Sequence, residues 1–591
     1  MNKIKLTINN QEVEVSKGTT ILEAARSLDI KVPTLCYLKG ISDIGACRMC
    51  VAEIEGMGLK ATCNLEANEG MKVQTESEEV VKSRIRTLEL LASTHTFECW
   101  TCPREESCYF YDYLQFYNVE NTYHDDHKFM SNTRIINEST AITLDSGKCV
   151  QCGACTQVCA KIQTPATLDF NNRGIDTIIA PTSCGETLDD IACISCGQCS
   201  KVCPTAAIIE TNHIKRVEAA IKDPNKFVVV QMAPAVRAAI GEPFEYPIGT
   251  PVREVEGKMY RALKELGFDL VTDTNYAADL TIMEEGTEFI DRVKNGGPLP
   301  LFTSCSPGWL RYIEQYRPEY LPNLSSAKSP HMMQGAFMKN FYAPDELNKD
   351  ASEVYMVSIM PCTAKKYEIA RPEMEQDGIR DVDAVLTTRE LARMIKQHGI
   401  NFRHLEDYKP ENELAQYTGA GTIFGASGGV MEAAVRTVYE ILEGEPLPNL
   451  DIHAVRGVEE NIKEATLKLP KTGLEVNVAI VHGGQGIKKM FEILDKGEKE
   501  YHFIEFMGCP GGCVNGGGQP IVREEFMQGL DVAELRAQAL YQSDKEDVEF
   551  RKSHMSPVIQ RAYEKYLEKP GSHAAHKYLH TTYTDQSHKL K

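Results

Sequence analysis

The chain has 591 residues, 20 of them cysteine, and a formal net charge of −20; it is too long for one hydrophobic core, which predicts roughly three to five domains. That acidity excludes a nucleic-acid partner, whose phosphates need a clustered basic surface, and leaves basic or small neutral partners while serving solubility. The opening "MNKIKLTINN" lacks a charged leader with an apolar core, and no apolar run approaches the roughly 18 to 20 residues that span a bilayer, so the chain reads as soluble, cytoplasmic and without a membrane partner, its cysteines committed to metals rather than disulfides.

"IKLTINNQEVEV" alternates apolar and polar positions on either side of Asn9 and Asn10, which predicts a hairpin. "TTILEAARSL" predicts a helix whose Thr20 and Glu23 have capping-box spacing. Cys36, Cys47, Cys50 and Cys63 follow, the middle pair in "GACRMC", where small residues let backbone N–H groups approach cluster sulfurs. The spacing differs from the plant-type run. Hairpin, helix and cysteine loop in this order resemble the 2Fe-2S ferredoxin-like domain of respiratory complex I and related enzymes; zinc is the alternative.

In "LELLASTHTFECWTCPREESC" a helical run delivers His95, Cys99, Cys102 and Cys108. One imidazole and three thiolates also suit tetrahedral zinc. The segment's place between two iron–sulfur patterns resembles the complex I family's 4Fe-4S segment with one histidine ligand. Next, "CVQCGACTQVC" and "CISCGQCSKVCP" each read C-x2-C-x2-C-x3-C, the two-cluster ferredoxin run whose fourth cysteine serves the other cluster. One 4Fe-4S cluster then takes Cys149, Cys152, Cys155 and Cys203, and the second takes Cys193, Cys196, Cys199 and Cys159. Ala160 stands where the repeat would place proline, which alters chain direction more than ligation. Cys184 in "PTSCGET" fits no set and reads as a lone buried thiol.

From about residue 225 strand-like and helix-like segments alternate, predicting an α/β domain. "KFVVVQMAP", "PLPLFTSC", "EVYMVSIMPC" and "YHFIEFMGC" are short apolar runs ending in polar or cysteine-bearing loops. Ligands in such folds sit beyond the carboxyl ends of strands, so the four loops are expected to converge on one buried site. "GAGTIFGASGG" is one residue off the dinucleotide fingerprint and reads as tight packing against the helix "VMEAAVRTVYEIL".

"FTSCSPGW", "MPCTAKKYE" and "FMGCPGGCVNGGGQP" resemble the three signature segments of the iron-only, or di-iron, hydrogenases, and "QMAPAVR", "DTNYAADLTIMEEGTEF" and "NLSSAKSP" resemble flanking segments of that family. With the four accessory clusters the resemblance covers nearly the whole chain and is to the large monomeric clostridial type. It implies an H-cluster: a 4Fe-4S cubane joined through a cysteine to a di-iron unit with CO, CN and azadithiolate ligands. Three accessory 4Fe-4S clusters and one 2Fe-2S cluster accompany it. By the same resemblance Cys513 bridges, Cys362 and Cys509 ligate the cubane, and Lys365 hydrogen-bonds a cyanide, a strong contact in a dry pocket. Met360 and Met507 wall the di-iron unit, and Ala233, Pro234 and Ala235 cover its outer side.

Family members usually read T-S-C-C-P where this chain reads "TSCSP". In that register Cys305 relays protons and Ser306 stands where the fourth thiolate belongs, although a hydroxyl is a harder, less acidic iron ligand. Three arrangements remain open: Ser306 ligates as alkoxide, Cys305 swings over to ligate, or the cubane is incomplete. Arg292, Glu288, Ser325 and Glu285 match the family's relay from the surface to Cys305. Each has a structural alternative, as when "EEGTEF" is only a helix start.

The expected architecture is an α/β H-cluster domain preceded by small α+β ferredoxin-like domains. Its segments are residues 1–78 (2Fe-2S, β-grasp), 79–138 (histidine-ligated 4Fe-4S), 139–212 (two-cluster ferredoxin) and 213–591 (catalytic, with a small C-terminal region). The implied reaction is 2H+ plus 2e− to H2, reversible. Ferredoxin or a similar carrier supplies electrons, and dedicated maturation proteins are further expected partners. The alternative is an electron-transfer or redox- and H2-sensing protein with weak turnover, which Ser306 keeps in view.

Overall fold

The computed structural model describes residues 3–119, 134–182, 186–458, 460–523 and 530–590; Cys184 lies outside them. The chain forms two compact units, one of residues 1–162, 166–188 and 198–209, the other of residues 163–165, 189–197 and 210–591.

In the first unit the strands Lys3–Ile8 and Gln11–Ser16 pair antiparallel across Asn9 and Asn10, whose positive φ values (48° and 65°) make the tight turn. They continue into a five-stranded sheet with Lys72–Gln74, Val51–Ile54 and Gly58–Ala61. Helix Ile21–Arg26 starts at Thr20, whose hydroxyl accepts the Glu23 N–H at 3.2 Å. The Glu23 carboxylate is taken by Arg26, Tyr37 and Lys39. Ile21, Leu22, Ala24 and Ala25 bury against Leu6, Ile8 and Val73.

The doubled cysteine motif folds alike twice. Gln151 and Ser195 have positive φ (49° and 54°), and their N–H groups point at Cys149 Sγ and Cys193 Sγ at 3.3 and 3.4 Å. Gly153 and Gly197 then turn left-handed into the helices that carry the next cysteines. Ala160 and Pro204 account for where the two differ. Helix Gln198–Val202 stops before Cys203, since a residue preceding proline disfavours helical geometry, whereas helix Ala154–Lys161 runs through Ala160.

The second unit holds two four-stranded sheets. In one, Leu270–Asp273, Phe227–Met232, Val354–Met360 and Ala384–Thr387 are all parallel. In the other, Leu301–Phe302, Phe503–Met507 and Leu474–His482 are parallel, and Ile462–Leu469 closes the edge antiparallel. Each sheet thus supplies two of the four strand-end loops. Helix Thr274–Asn295, capped by Asp273 accepting the Asn275 N–H at 2.9 Å, runs past them and carries Glu284, Glu285, Glu288 and Arg292 at helical-neighbour spacings. The glycine-rich stretch is a packing device. A Cβ at Gly421 would come 2.6 Å from Asn275 O, and one at Gly425 would come 3.1 Å from the Ala235 backbone. Helix Gly429–Glu443 follows it.

Candidate active site

The motif "TSCSPGW" is held residue by residue. Thr303 Oγ1 accepts the Phe506 N–H at 3.0 Å, and Trp309 stacks on Phe506 at 3.9 Å while its Nε1–H donates to Thr303 O. The Ser304 hydroxyl lies 2.6 Å from Ala327 O, to which it donates, and 3.1 Å from Glu285 Oε1, which also accepts the Ser304 N–H at 3.2 Å. Cys305 and Ser306 are thereby presented together, and Pro307 opens helix Pro307–Tyr316. Ser306 occupies the N-cap position, but its hydroxyl makes no bond to its own helix. It accepts the Gly508 N–H at 3.1 Å instead, one residue before Cys509. The ordinary use of an N-cap serine is replaced by a position among the cysteine loops.

Cys362, Cys509 and Cys513 lie close enough that charge on one disfavours charge on the others. Burial pushes the Cys513 thiol up to about 12, with Cys509 adding to the shift, and raises Cys362 in the same way. Cys305 is raised first by burial, then by the charges of Glu285 and Cys513. The loops pack backbone to backbone. Gly512 has φ of 92°, and a Cβ there would stand 2.6 Å from Ser427 N. Three neighbouring thiols, buried at Cys509 and half-buried at Cys362 and Cys513, in a glycine cradle fit an iron–sulfur cluster, which binds thiolates and displaces their protons.

Lys365 Nζ donates to Cys305 O at 3.0 Å and pairs with Glu368 at 2.8 Å. Against the upward push of burial, Lys365 and His331 hold the Glu368 carboxyl at about 2. His331, 2.7 Å from Glu368, is kept at about 4 by burial and the Lys365 charge, hence neutral. Met360 and Met507 end their strands, each 2% exposed. Ala233 hangs from the same sheet, its N–H donating to Ile359 O at 3.0 Å, and Pro234 starts the short helix Pro234–Arg237. Ala235 and Cys513 share one apolar cluster with Ala426 and Val514.

Glu285 is fully buried. Burial raises its carboxyl to about 7, and Oε2 has no hydrogen-bond partner among the described residues. The Ser325 hydroxyl donates to Glu288 Oε2 at 2.9 Å, and Arg292 pairs with Glu288 Oε1 at 2.6 Å. All five expected relay positions therefore fall in one neighbourhood. Sequence reasoning missed Glu368, His331 and Glu505. Glu505 is buried near Cys513, raised to about 7 by burial, and accepts the Gly428 and Met431 N–H groups at 2.7 Å each. Glu368 and Glu505 stand inside "MPCTAKKYE" and "YHFIEFMGC" and His331 directly follows "NLSSAKSP", but no spacing singles them out within those runs; only their burial does.

In the first unit Cys149, Cys152, Cys155 and Cys203 line one cavity, with Ile179 and Ile208. Cys36 and Cys47 pair with each other, as do Cys50 and Cys63, and hydrogen bonding from Cys63 draws the Cys50 thiol down to about 6. Cys36, Cys47, Cys108 and Cys152 belong to a single apolar cluster. Cys99 and Cys108 are both raised by burial first and also by the charge of Cys102, and His95 packs edge-on to Phe97 and Phe110 at 4.9 and 5.2 Å. Of the remaining set, Cys159 and Cys199 belong to the first unit, Cys193 and Cys196 to the second. Within the second unit Thr363 donates to Ser195 O at 2.7 Å, and a Cβ on Gly197 would come 3.1 Å from Gly517 Cα. The Cys193–Gly197 loop thus abuts the loops of Cys362 and Cys513.

Sheets that deliver thiols from their carboxyl ends, behind ferredoxin-like cysteine sets, define an iron–sulfur oxidoreductase. Family models described as iron only hydrogenase large subunit, C-terminal domain, and iron hydrogenase small subunit match residues 226–517 and 530–586. Models of a 2Fe-2S iron-sulfur cluster binding domain and a 4Fe-4S binding domain match residues 1–78 and 187–209. The chain is 43% identical to Iron hydrogenase 1 of Clostridium pasteurianum, over 98% of this chain and 99% of that protein. It is 42% identical to the NADP-reducing hydrogenase subunit HndD of Solidesulfovibrio fructosivorans, over 99% of each. A solved structure of apo [FeFe]-hydrogenase HydA1 from Chlamydomonas reinhardtii, a variant, superposes with a TM-score of 0.56 at 37% identity, covering 64% of this chain and 99% of that one. The chain belongs to the iron-only hydrogenase family. It is a hydrogenase acting on H2 and protons, with an H-cluster and accessory 4Fe-4S and 2Fe-2S clusters. Among the described residues no helix is long and apolar enough to cross a membrane.

Proposed function

We propose that the chain reduces protons reversibly with electrons from ferredoxin or a similar carrier, at an H-cluster held by Cys362, Cys509 and Cys513 with Ser306 in the fourth position. The observation that carries this reading is the orientation of the Cys305–Ser306 pair: the serine hydroxyl turns to Gly508 beside Cys509, while the cysteine stands by Glu285. When bound, the H-cluster supplies the redox chemistry that joins two electrons and two protons.

The protein's residues do the rest. Glu285, with a carboxyl near 7, gains and loses a proton readily at working pH. Ser325, which bonds Glu288 and also lowers the Glu285 carboxyl, stands between the two glutamates, and Arg292 positions Glu288. Cys305 is the inner end, buried enough to stay a neutral thiol between transfers. Lys365, fixed by Glu368, presents its ammonium to an anionic ligand. Met360, Met507, Ala233, Pro234 and Ala235 keep water from the site. Electrons arrive through the accessory clusters, and the apolar cluster shared by Cys36, Cys47, Cys108 and Cys152 supports wiring of three cysteine sets. The segments 1–78, 79–138, 139–212 and 213–591 are the corresponding modules. The assignment includes a cytoplasmic location and dedicated maturation proteins as partners.

The matured protein should hold about 20 irons: about two in the 2Fe-2S cluster, about twelve in three accessory 4Fe-4S clusters and about six in the H-cluster. Elemental analysis giving about four fewer irons and one zinc would assign the His95 set to zinc.

Ser306→Cys should raise cubane occupancy and turnover several-fold, because thiolate matches iron in softness and a hydroxyl does not. Unchanged iron content, spectrum and rate would remove position 306 from the ligand set and make Cys305 the fourth ligand. The activity itself is tested by H2 evolution with reduced methyl viologen after co-expression with maturation proteins. Vigorous turnover supports the enzyme; its absence in protein with full iron and intact infrared bands would favour a sensing or electron-transfer role.

A further inference from the structure

Glu288 is approached from two sides. On one, Arg292 pairs with Oε1 at 2.6 Å and donates to the carbonyls of Pro298, Pro322, Asn323 and Leu324 at 2.8 to 3.3 Å. A guanidinium stays protonated throughout the working range. Arg292 can therefore fix Glu288 and stabilise its charge, but it cannot pass a proton on by losing one.

On the other side Glu288 Oε2 accepts the Ser326 N–H at 3.1 Å and lies 3.4 Å from Ser326 Oγ. Ser326 Oγ is 2.8 Å from His580 Nδ1, and His580 Nε2 is 3.0 Å from Glu284 Oε2. Glu284 accepts at both oxygens, from Tyr563 at 2.6 Å and from the Gly571 N–H at 2.9 Å, so the His580 nitrogen facing it carries a hydrogen. Nδ1 is thus left to exchange a proton with Ser326. The His580 side chain is 6% exposed, and its ring centroid lies 4.1 Å from that of exposed His576.

The fold builds this deliberately. Residues 579–581 run antiparallel to 326–328: Lys328 N–H donates to Leu579 O and Thr581 N–H to Ser326 O, both at 2.8 Å. Helix His573–Leu579, capped by Ser572, sets His576 beside His580. Three further groups act on the pair of imidazoles, Glu284 and Glu288 from the long helix and His573 from the C-terminal region, and Tyr563 bonds Glu284. Lys328 on the paired segment is engaged by Asp381 at 2.7 Å. Burial and the neighbouring His580 charge hold the His576 imidazole below its ordinary value, so it releases protons easily.

The geometry points to His580, beside the exposed His576, as an outer end of the proton relay that joins it at Glu288 through the Ser326 hydroxyl. The inference rests on the proposed relay through Glu288, Ser325, Glu285 and Cys305. In the inward step the Nδ1–H bond of the His580 imidazolium breaks and that proton bonds to Ser326 Oγ. The proton Ser326 held bonds to Glu288 Oε2. The products are neutral His580 with its hydrogen on Nε2 still bound to Glu284, a neutral Glu288 carboxyl and an unchanged serine; no electrons move. During H2 oxidation the step reverses.

The test uses the matured enzyme with His580→Ala, His580→Gln and Glu288→Gln, each checked for iron content and infrared bands. His580→Ala and His580→Gln should both turn over about tenfold more slowly than the parent, as expected when one of two supply routes for general acid–base transfer is lost. Both should show a larger solvent isotope effect, and added imidazole should restore the alanine variant. Glu288→Gln should lose more, without rescue. A full rate in His580→Gln, or a loss in His580→Ala that imidazole does not restore, overturns the histidine branch. A full rate in Glu288→Gln would instead remove the relay on which the branch rests.

Discussion

In Cys305→Ala, turnover falls by about 10³ or more, while the infrared bands of the carbonyl and cyanide ligands persist. Cys305 lies where it feels the charges of Glu285 and Cys513, and its carbonyl takes the Lys365 ammonium at 3.0 Å. Alanine retains that backbone contact and removes only the thiol group. The loss is therefore of transfer, not of assembly. Loss of the bands together with iron would show that Cys305 holds the cubane, and the relay assignment would be wrong.

Glu285→Gln should slow turnover by about 10² to 10³, because glutamine matches the shape and the Ser304 hydrogen bonds but carries no exchangeable acid. Its effect on pH dependence is the sharper signature. Burial raises the Glu285 carboxyl to about 7. Below that value it is protonated and can donate inward, so evolution is favoured; above it the ionised form accepts, so oxidation is favoured. The parent should lose evolution rate and gain oxidation rate as pH rises through about 7. The glutamine variant should show no such crossover between pH about 6 and 8. A crossover that survives unchanged in rate profiles of Glu285→Gln would assign the titration to another group.

What could be read in advance was local. Strand runs that end in cysteine loops, the turn at Asn9 and Asn10, and the twice-repeated cysteine spacing all depend on residues a few positions apart. Ala160 against Pro204 even foretold a change in chain direction, realised as a helix of 8 residues where the other has 5. What escaped was made by distance. His580 meets Ser326 across 254 positions, and Glu505 caps a helix that begins 76 residues earlier in the chain, at Gly429. His580 lies in no motif, and Glu505, though inside "YHFIEFMGC", gives no local sign of the helix it caps, because a lone histidine or glutamate has no period. The strand-end loops also come from two sheets rather than one, since apolar runs alone do not say which strands pair. Ser306 was visible as an unusual residue; that its hydroxyl abandons its own helix for Gly508 was not.

The central claim is that Ser306, not Cys305, completes the cubane site and leaves the cysteine to carry protons. The most direct measurement is a crystal structure of the matured protein with anomalous diffraction at the iron edge. The account predicts iron bonded to Cys362, Cys509 and Cys513 Sγ and to Ser306 Oγ, with Cys305 Sγ off the metal and turned to Glu285. Iron bonded to Cys305 Sγ, with Ser306 Oγ still accepting the Gly508 N–H, would contradict it.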